Sequence, residues 1–387
     1  MKPLIIIGAG MAAYTCAREF RKLDKTAPML IISSDAAGFY SKPMLSNALA
    51  QNKAAQLQNQ SMEQMATQLQ ATIVANTGVL AIDPASHSVQ TASQRYDYDK
   101  LVLAVGAQPI RLNFAGDAAD QVLSVNHLSD YAIFRSKLES YQAKARVVVI
   151  GAGLIGCEFA DDLAGSGYAV SVIDPNPLPL ALLLPPQLGS GLQAALQARG
   201  VKMLLGTTAT AINQHEGALR LTLANGNTLD ADVVLSAVGL RADTRLAQAA
   251  GLQCERGIVV DANGQTSAPD IYALGDCAQY TVADGSSRTM PYIAPIMAAG
   301  RALAQTLTGK ATPIDLKPVP VIVKTPSFPI ALVAPSPQQA AGGSWQYEMQ
   351  GERHVARFFA ADGRMAGFAL APQEAALRQS LMAELNG

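Results

Sequence analysis

Two short glycine runs hold the residues best suited to chemistry. GAGLIG places Gly151, Gly153 and Gly156 at G-x-G-x-x-G spacing behind the β-branched run 147–150, and GAGMAA places Gly8, Gly10 and Ala13 at the same spacing behind Leu4–Ile7. A turn of this kind between strand and helix suits the pyrophosphate of a dinucleotide. The first glycine allows the tight turn, the second lets the backbone approach the phosphates, and the third position needs a residue small enough for helix to pack on strand. Ala13 is small enough. The phosphates would rest on the positive helix N-terminus. Asp174 ends the strand after the second turn, 18 residues beyond Gly156. A carboxylate there binds both hydroxyls of an adenosine ribose and repels a 2′-phosphate, and PNPLPL offers no arginine to receive one, so a dinucleotide with a free 2′-hydroxyl is expected there. The strand after the first turn ends in Ser33, Ser34 and Asp35, with no acid at its tip. Serine hydroxyls or backbone amides must hold that ribose, or Asp35 must reach back.

The elements that position these residues follow from pattern. Around the first turn we expect a strand at Leu4–Ile7, a helix at Met11–Leu23 and a strand at Met29–Ile32. GFYSKPMLSNALA reads as a loop before a short helix at 46–51, and glutamine- and alanine-rich helical sequence continues to about Gln70. ATIVANTGVLAIDP reads as strand, turn and strand, with Val79 and Leu80 edging back towards the first turn, and 101–105 as a strand closing in Gly106. From about Asn113 the chain approaches the second turn. After Asp174 come a proline-rich loop, a helix at 189–199, hairpin-like strands over 207–228 and a strand at 232–238 that closes in Gly239.

The two halves echo each other: Gly10 lies 96 residues before Gly106 in LVLAVG, and Gly153 lies 86 before Gly239 in VVLSAVG. Such a repeat means two copies of one nucleotide-binding module. GIVVDANGQTSAPDIYALGDCA and PYIAPIMAAGRALAQTLTG then resemble the missing end of the first module, resumed after the second was inserted. From about Pro320, VIVKTP, IALVAP, WQYEM and HVARFFA read as strands and 373–385 as a terminal helix. The expected fold class is α/β, with two Rossmann-like dinucleotide-binding domains, one inserted into the other, and a small C-terminal α+β domain. The expected boundaries are 1–112 and 243–319 for the first module, 113–242 for the inserted one and 320–387 for the last domain.

Composition limits the rest. A chain of 387 residues should form two or three domains. Apolar residues make up 49% and charged ones 15%, against a norm of about 25%, so a large core is expected. A formal net charge of -1 supplies no general attraction to nucleic acid or to an anionic membrane. No apolar run approaches the roughly 18 residues of a span, and MKPLIIIGAGM lacks the layout of a secretory signal, so the expected location is the cytoplasm. Cys16, Cys157, Cys254 and Cys277 form no C-x-x-C pair and read as packing thiols of a reducing compartment. His87, His127, His215 and His354 are scattered, and no metal site is expected.

With GAGMAA, LVLAVGA, GAGLIG, SAVGLRAD and TSAPDIYALGD in this order, the chain resembles the flavoprotein reductases that have two dinucleotide-binding domains. The resemblance implies FAD on the first module and NAD(P)H on the inserted one. It places Gly8, Ala9, Gly10, Met11, Ala12, Ser33, Ser34, Ala104 and Gly106 around FAD, with Lys42 facing its adenosine diphosphate and Val79 offering backbone groups to adenine. Asp276 would accept a hydrogen bond from a ribityl hydroxyl, or else merely cap a strand end. Lys324 would come near the isoalloxazine, where a cation stabilises reduced flavin, or else be a solvated lysine on a strand edge. The amides of a helix beginning near Ile293 or Ala294 would do the same work as that cation. On the inserted module the implied contacts are Gly153, Ile155, Asp174 and Gly239. Glu158 matches a glutamate between nicotinamide and flavin, or else complements the helix dipole.

SKPMLSN, PYIAPIMAAGRALA and VKTP look most like the rubredoxin reductases and relatives that serve flavorubredoxin, and Asn47 stands where related ferredoxin reductases carry a lysine. No cysteine lies between Cys16 and Cys157, so neither a disulfide pair nor a peroxidatic cysteine is available early in the chain. The expected function is therefore passage of electrons from NADH through FAD to rubredoxin one at a time, with no catalytic side chain. A ferredoxin reductase of an oxygenase system and a non-enzymatic NADH-sensing flavoprotein are the alternatives. Rubredoxins are small and acidic, so Lys317, Lys324, Arg353 and Arg357 are candidates for a basic docking rim. The small C-terminal domain favours a monomer.

Overall fold

Four consecutive apolar residues, Leu4–Ile7, are buried along their whole length, as a parallel strand covered on both faces requires. In the computed structural model, which describes residues 1–50, 57–282 and 285–386, this strand lies at the centre of a five-stranded parallel sheet. Met29–Ile32 and then Thr72–Val74 lie to one side of it, Lys100–Leu103 and then Ile271–Ala273 to the other. The chain thus leaves after Leu103 and returns at Ile271 to complete the first sheet. Helices Met11–Leu23 and Ile293–Leu307 pack closely at Gly300, where an added Cβ would lie 2.7 Å from Thr15 Cγ2. These elements belong to a compact unit made of Met1–Lys42, Gln56–Gln108 and Leu240–Lys317.

A second unit comprises Pro43–Ala55, Pro109–Gly239 and Pro318–Gly387. Its parallel sheet runs Lys202–Leu205, Ala169–Asp174, Arg146–Ile150, Val233–Ser236, so the strand leading into the second glycine turn is again internal. A three-stranded antiparallel sheet, Ala209–His215, Ala218–Leu223 and Thr228–Ala231, accompanies it. The C-terminal segment forms a five-stranded antiparallel sheet on which helix Ala375–Asn386 buries Leu381 against Val355, Phe368 and Leu370.

Several expectations are corrected. The helix at 46–51 is instead a 3-10 helix at Lys42–Asn47, because the Leu49 and Ala50 N–H groups bond to the Asp162 carboxylate rather than to a helical carbonyl; Gln51 lies outside the described residues. The helical stretch leading to Gln70 holds, within the described residues, a strand at Gln58–Gln60 and a helix at Met62–Leu69. The helix placed at 189–199 starts at Pro186, a first-turn position that suits proline. The segment approaching the second turn contains a helix, Leu128–Glu139, that buries Tyr131, Phe134 and Leu138 in one stripe. Met365–Ala371, not read as a strand, is the middle strand of the C-terminal sheet. It lacks β-branched residues, and its Gly367 is required because a Cβ there would lie 2.5 Å from Val333 O.

Candidate functional site

Gly8 and Gly151 have φ of +112° and +108°, and a Cβ on either would strike a carbonyl of the neighbouring strand end, Ala104 O at 2.3 Å or Ala237 O at 2.7 Å. Both turns therefore need glycine first for conformation and for space. Gly10 and Gly153, by contrast, are exposed, with nothing within 4 Å of an added Cβ. Each is the N-cap of its helix without any side-chain cap, and neither helix has an acid in its first turn. Ser61 and Ser336 head other helices with complete capping boxes. The first-turn amides at Met11–Leu23 and Leu154–Gly165 are thus left for an outside acceptor across an open glycine, a geometry that fits a pyrophosphate. Gly156 differs from both, because a Cβ there would lie 1.9 Å from Gly151 O; Ala13, in the matching place of the first turn, is fully buried.

In the first unit the remaining expected residues gather around the Gly8 turn. Ala9 is buried within it, and Met11 and Ala12 open its helix. The Ala104 N–H donates to Ile7 O, and Gly106 follows with φ of +73°. A Cβ on Gly275 would lie 2.6 Å from Ala12 Cβ, which brings Asp276 to the same turn. Burial raises the Asp276 carboxyl above its ordinary value, and the nearby Lys42 ammonium opposes the shift. The helix Ile293–Leu307, which holds Ala294 in its first turn, lacks a side-chain cap and packs against Gly275–Cys277. At the other strand tip, Asp35 turns towards Ser33. Ser33 Oγ donates to Asp35 Oδ1 at 2.6 Å, and that oxygen also accepts the Ala37 N–H, while Ser34 is exposed. Thr77 N–H donates to Ser33 O, which leads Val79 past the same tip.

In the second unit Gly239 has φ of +106° and Ile155 is exposed beside Gly153. Asp174 is buried, and each of its oxygens accepts N–H groups of its own turn while keeping acceptor capacity for an outside donor. Its Oδ2 accepts the Ala152 N–H at 2.7 Å, and its Oδ1 accepts the Asn176 N–H and Nδ2–H at 2.8 Å. Glu158 is 3% exposed and does more than complement a helix dipole. Its Oε2 accepts Lys324 Nζ and Ser46 Oγ, each at 2.5 Å, and its Oε1 accepts the Lys324 N–H at 2.9 Å. Lys324 Nζ donates further to Pro43 O at 2.6 Å, so it is no solvated lysine on a strand edge. Sequence reasoning missed Ser46, Asp161 and Asp162. The signal was available in the helix LIGCEFADDLAG, where Glu158, Asp161 and Asp162 interrupt an otherwise apolar segment at i, i+3 and i+4.

The four candidates for a basic rim are all ion-paired: Lys317 with Asp315, Lys324 with Glu158, Arg353 with Glu374, and Arg357 with Glu348 and Glu384. Cys16, Cys157 and Cys277 are buried, and desolvation pushes the thiols of Cys16 and Cys277 up to about 12 and that of Cys157 upward as well. Such thiols are poor nucleophiles at neutral pH.

Residues 2–302 match the family model described as pyridine nucleotide-disulphide oxidoreductase. The chain belongs to that family. In this oxidoreductase, residues 313–385 also match a model described as rubredoxin binding C-terminal domain. The rubredoxin-NAD(+) reductase of Alcanivorax borkumensis is 40% identical over all of this chain and 99% of its own length. Its namesake from Acinetobacter baylyi is 45% identical over 86% of this chain and 85% of its own. Among solved structures, a ferredoxin reductase of Rhodopseudomonas palustris superposes with a TM-score of 0.87 at 26% identity, covering 96% of this chain and 91% of that one. Among the described residues no helix is long and apolar enough to cross a membrane.

Proposed function

We propose that this oxidoreductase passes electrons from NADH through FAD to rubredoxin, and that it does so in the cytoplasm, where its unpaired thiols stay reduced. The observation that carries the reading is the pair of uncapped glycine turns in one chain, joined to a segment of the rubredoxin-binding family. The first turn would hold FAD, with Asp276 accepting a hydrogen bond from a ribityl hydroxyl, Lys42 offering its ammonium to the diphosphate and the Ala294 helix end offering amides. NADH belongs to the second turn, whose Gly153 amide end takes the pyrophosphate while Asp174 favours a ribose over its 2′-phosphate. Bound FAD supplies the chemistry, accepting a hydride and releasing electrons singly. The chain's part is to hold the nucleotides and set the charge around them. Glu158 and Lys324 are read as residues of that redox site, and no protein nucleophile is called for.

The test is an anaerobic titration of the FAD-loaded protein with NADH followed by oxidised rubredoxin. Loss and then return of the visible flavin absorption is expected. A flavin that NADH cannot bleach refutes the reading. The likeness to a ferredoxin reductase supports a second one, in which a [2Fe–2S] ferredoxin is the acceptor. Turnover with ferredoxin exceeding that with rubredoxin at equal concentration would favour it.

A further inference from the structure

Glu158, Asp161 and Asp162 are buried carboxylates on one helix, and each binds a segment distant in sequence. Asp162 accepts the Leu49 N–H at 2.8 Å and the Ala50 N–H at 2.9 Å, one on each oxygen. Asp161 Oδ2 accepts the Ser327 N–H at 3.0 Å, and its Oδ1 lies 3.3 Å from Arg199 Nε. Ser46 stands three residues before Leu49, and Lys324 three before Ser327. The two segments that Asp161 and Asp162 grip are therefore the two that deliver a hydroxyl and an ammonium to Glu158. Lys324 Nζ also donates to Ser46 Oγ at 3.2 Å, which closes the arrangement.

Packing alone does not call for this. Two buried carboxylates lose hydration that backbone N–H groups only partly replace, and apolar side chains would fill the same space at less cost. Desolvation raises the Asp162 carboxyl accordingly, although both amide bonds oppose the shift. What the carboxylates supply is direction: each fixes a loop backbone to the helix that carries Glu158, so that both donors meet one oxygen, Oε2.

We propose that Asp161 and Asp162 are positioning residues of the redox site, holding Lys324 and Ser46 against Glu158. The proposal rests on the reading of Glu158 and Lys324 as redox-site residues given above. Neither aspartate touches a reacting atom; both act through Glu158.

The experiment is a double-mutant cycle on the full-length, FAD-loaded protein, comparing Asp162→Asn, Glu158→Gln and the two combined. Readouts are the limiting rate of flavin reduction by NADH, its pH profile and the visible spectrum of oxidised bound flavin. Asp162→Asn should lower the limiting rate about tenfold, since small misplacements at a reacting centre cost this much or more. The NADH concentration for half-saturation should change less than about twofold, as expected when positioning rather than nucleotide binding is lost. Its pH profile and flavin spectrum should move towards those of Glu158→Gln, and in the Glu158→Gln background it should add nothing further. Asp161→Asn should behave alike. Additive losses in the double variant, or a spectrum and pH profile that Asp162→Asn leaves unmoved while Glu158→Gln shifts them, would overturn the positioning role alone. If Glu158→Gln itself changes nothing, the redox-site reading falls and the proposal with it. Should the aspartate variants fail to fold, Arg199→Gln alters the Asp161 partner at a position that is 37% exposed. An altered pH profile in the folded variant is then expected, and an unaltered profile refutes the proposal.

Discussion

Replacing Gly156 by alanine would drive a methyl group into the backbone of its own turn. The new Cβ would sit 1.9 Å from Gly151 O and 3.0 Å from Gly151 C, and both atoms are held by the strand that ends in the turn. An ordinary contact needs about 3.4 Å, so helix Leu154–Gly165 must move off the sheet by about 1.5 Å. Overpacking of this kind costs about 3 kcal/mol. For a folding unit of about 200 residues, such a loss lowers the thermal midpoint by roughly 6–12 °C. Gly153→Ala is the matched control, because its Cβ meets nothing within 4 Å and its φ of -77° suits any residue. It should cost at most ~1 kcal/mol, from the poorer N-cap, while weakening NADH because the methyl group occupies the approach to the helix amides. Differential scanning calorimetry and NADH titration on both variants make the comparison. If Gly153→Ala unfolds as early as Gly156→Ala, or if Gly156→Ala keeps the wild-type midpoint, the division of labour among the glycines is wrong.

Two further predictions concern carboxylates of the second unit. Asp174→Ala should weaken NADH binding about tenfold or more and bring the NADH to NADPH preference towards one, since hydrogen bonds to a charged acceptor are lost in the nucleotide site; a variant that keeps full NADH preference removes the ribose assignment. Asp232 is held below the ordinary carboxylate range chiefly by its hydrogen bonds with the Arg146 side chain. Its folded-state value being depressed, it stabilises the fold fully above about pH 4 and loses that contribution as pH falls through the lower folded value. Asp232→Asn should therefore lower the thermal midpoint at pH 7 and approach wild type in acid, and a gap that stays constant down to pH 2 would contradict this.

The two glycine turns were legible because their requirements are local: a buried apolar strand, a left-handed glycine and an uncapped helix within a dozen residues determine each other. The return of the chain to Ile271–Ala273 was legible for a related reason, since a repeated strand pattern announces an unfinished sheet. Other parts depended on partners far away in sequence. Whether Lys324 is solvated or buried cannot be read from VKTP, because its partner Glu158 lies 166 positions earlier. A helix at 46–51 was reasonable by composition and fails because Asp162, more than a hundred residues later, takes two of the amides it would need. Met365–Ala371 was missed because Gly367 and alanine weaken a strand signal, although close approach to Val333 makes that glycine necessary.

The grip of Asp161 and Asp162 on 49–50 and 327 also bears on how such proteins can be recombined. A chimera that exchanges only the inserted module between two relatives would transfer three buried acids and leave their partners in the host. Any host whose loops differed in length or angle would face unpaired charge in the interior of the new module. The heritable block is therefore discontinuous: the module together with 43–50 and 324–328. Chimeras cut along those borders should express and fold where cuts at the module's sequence ends do not.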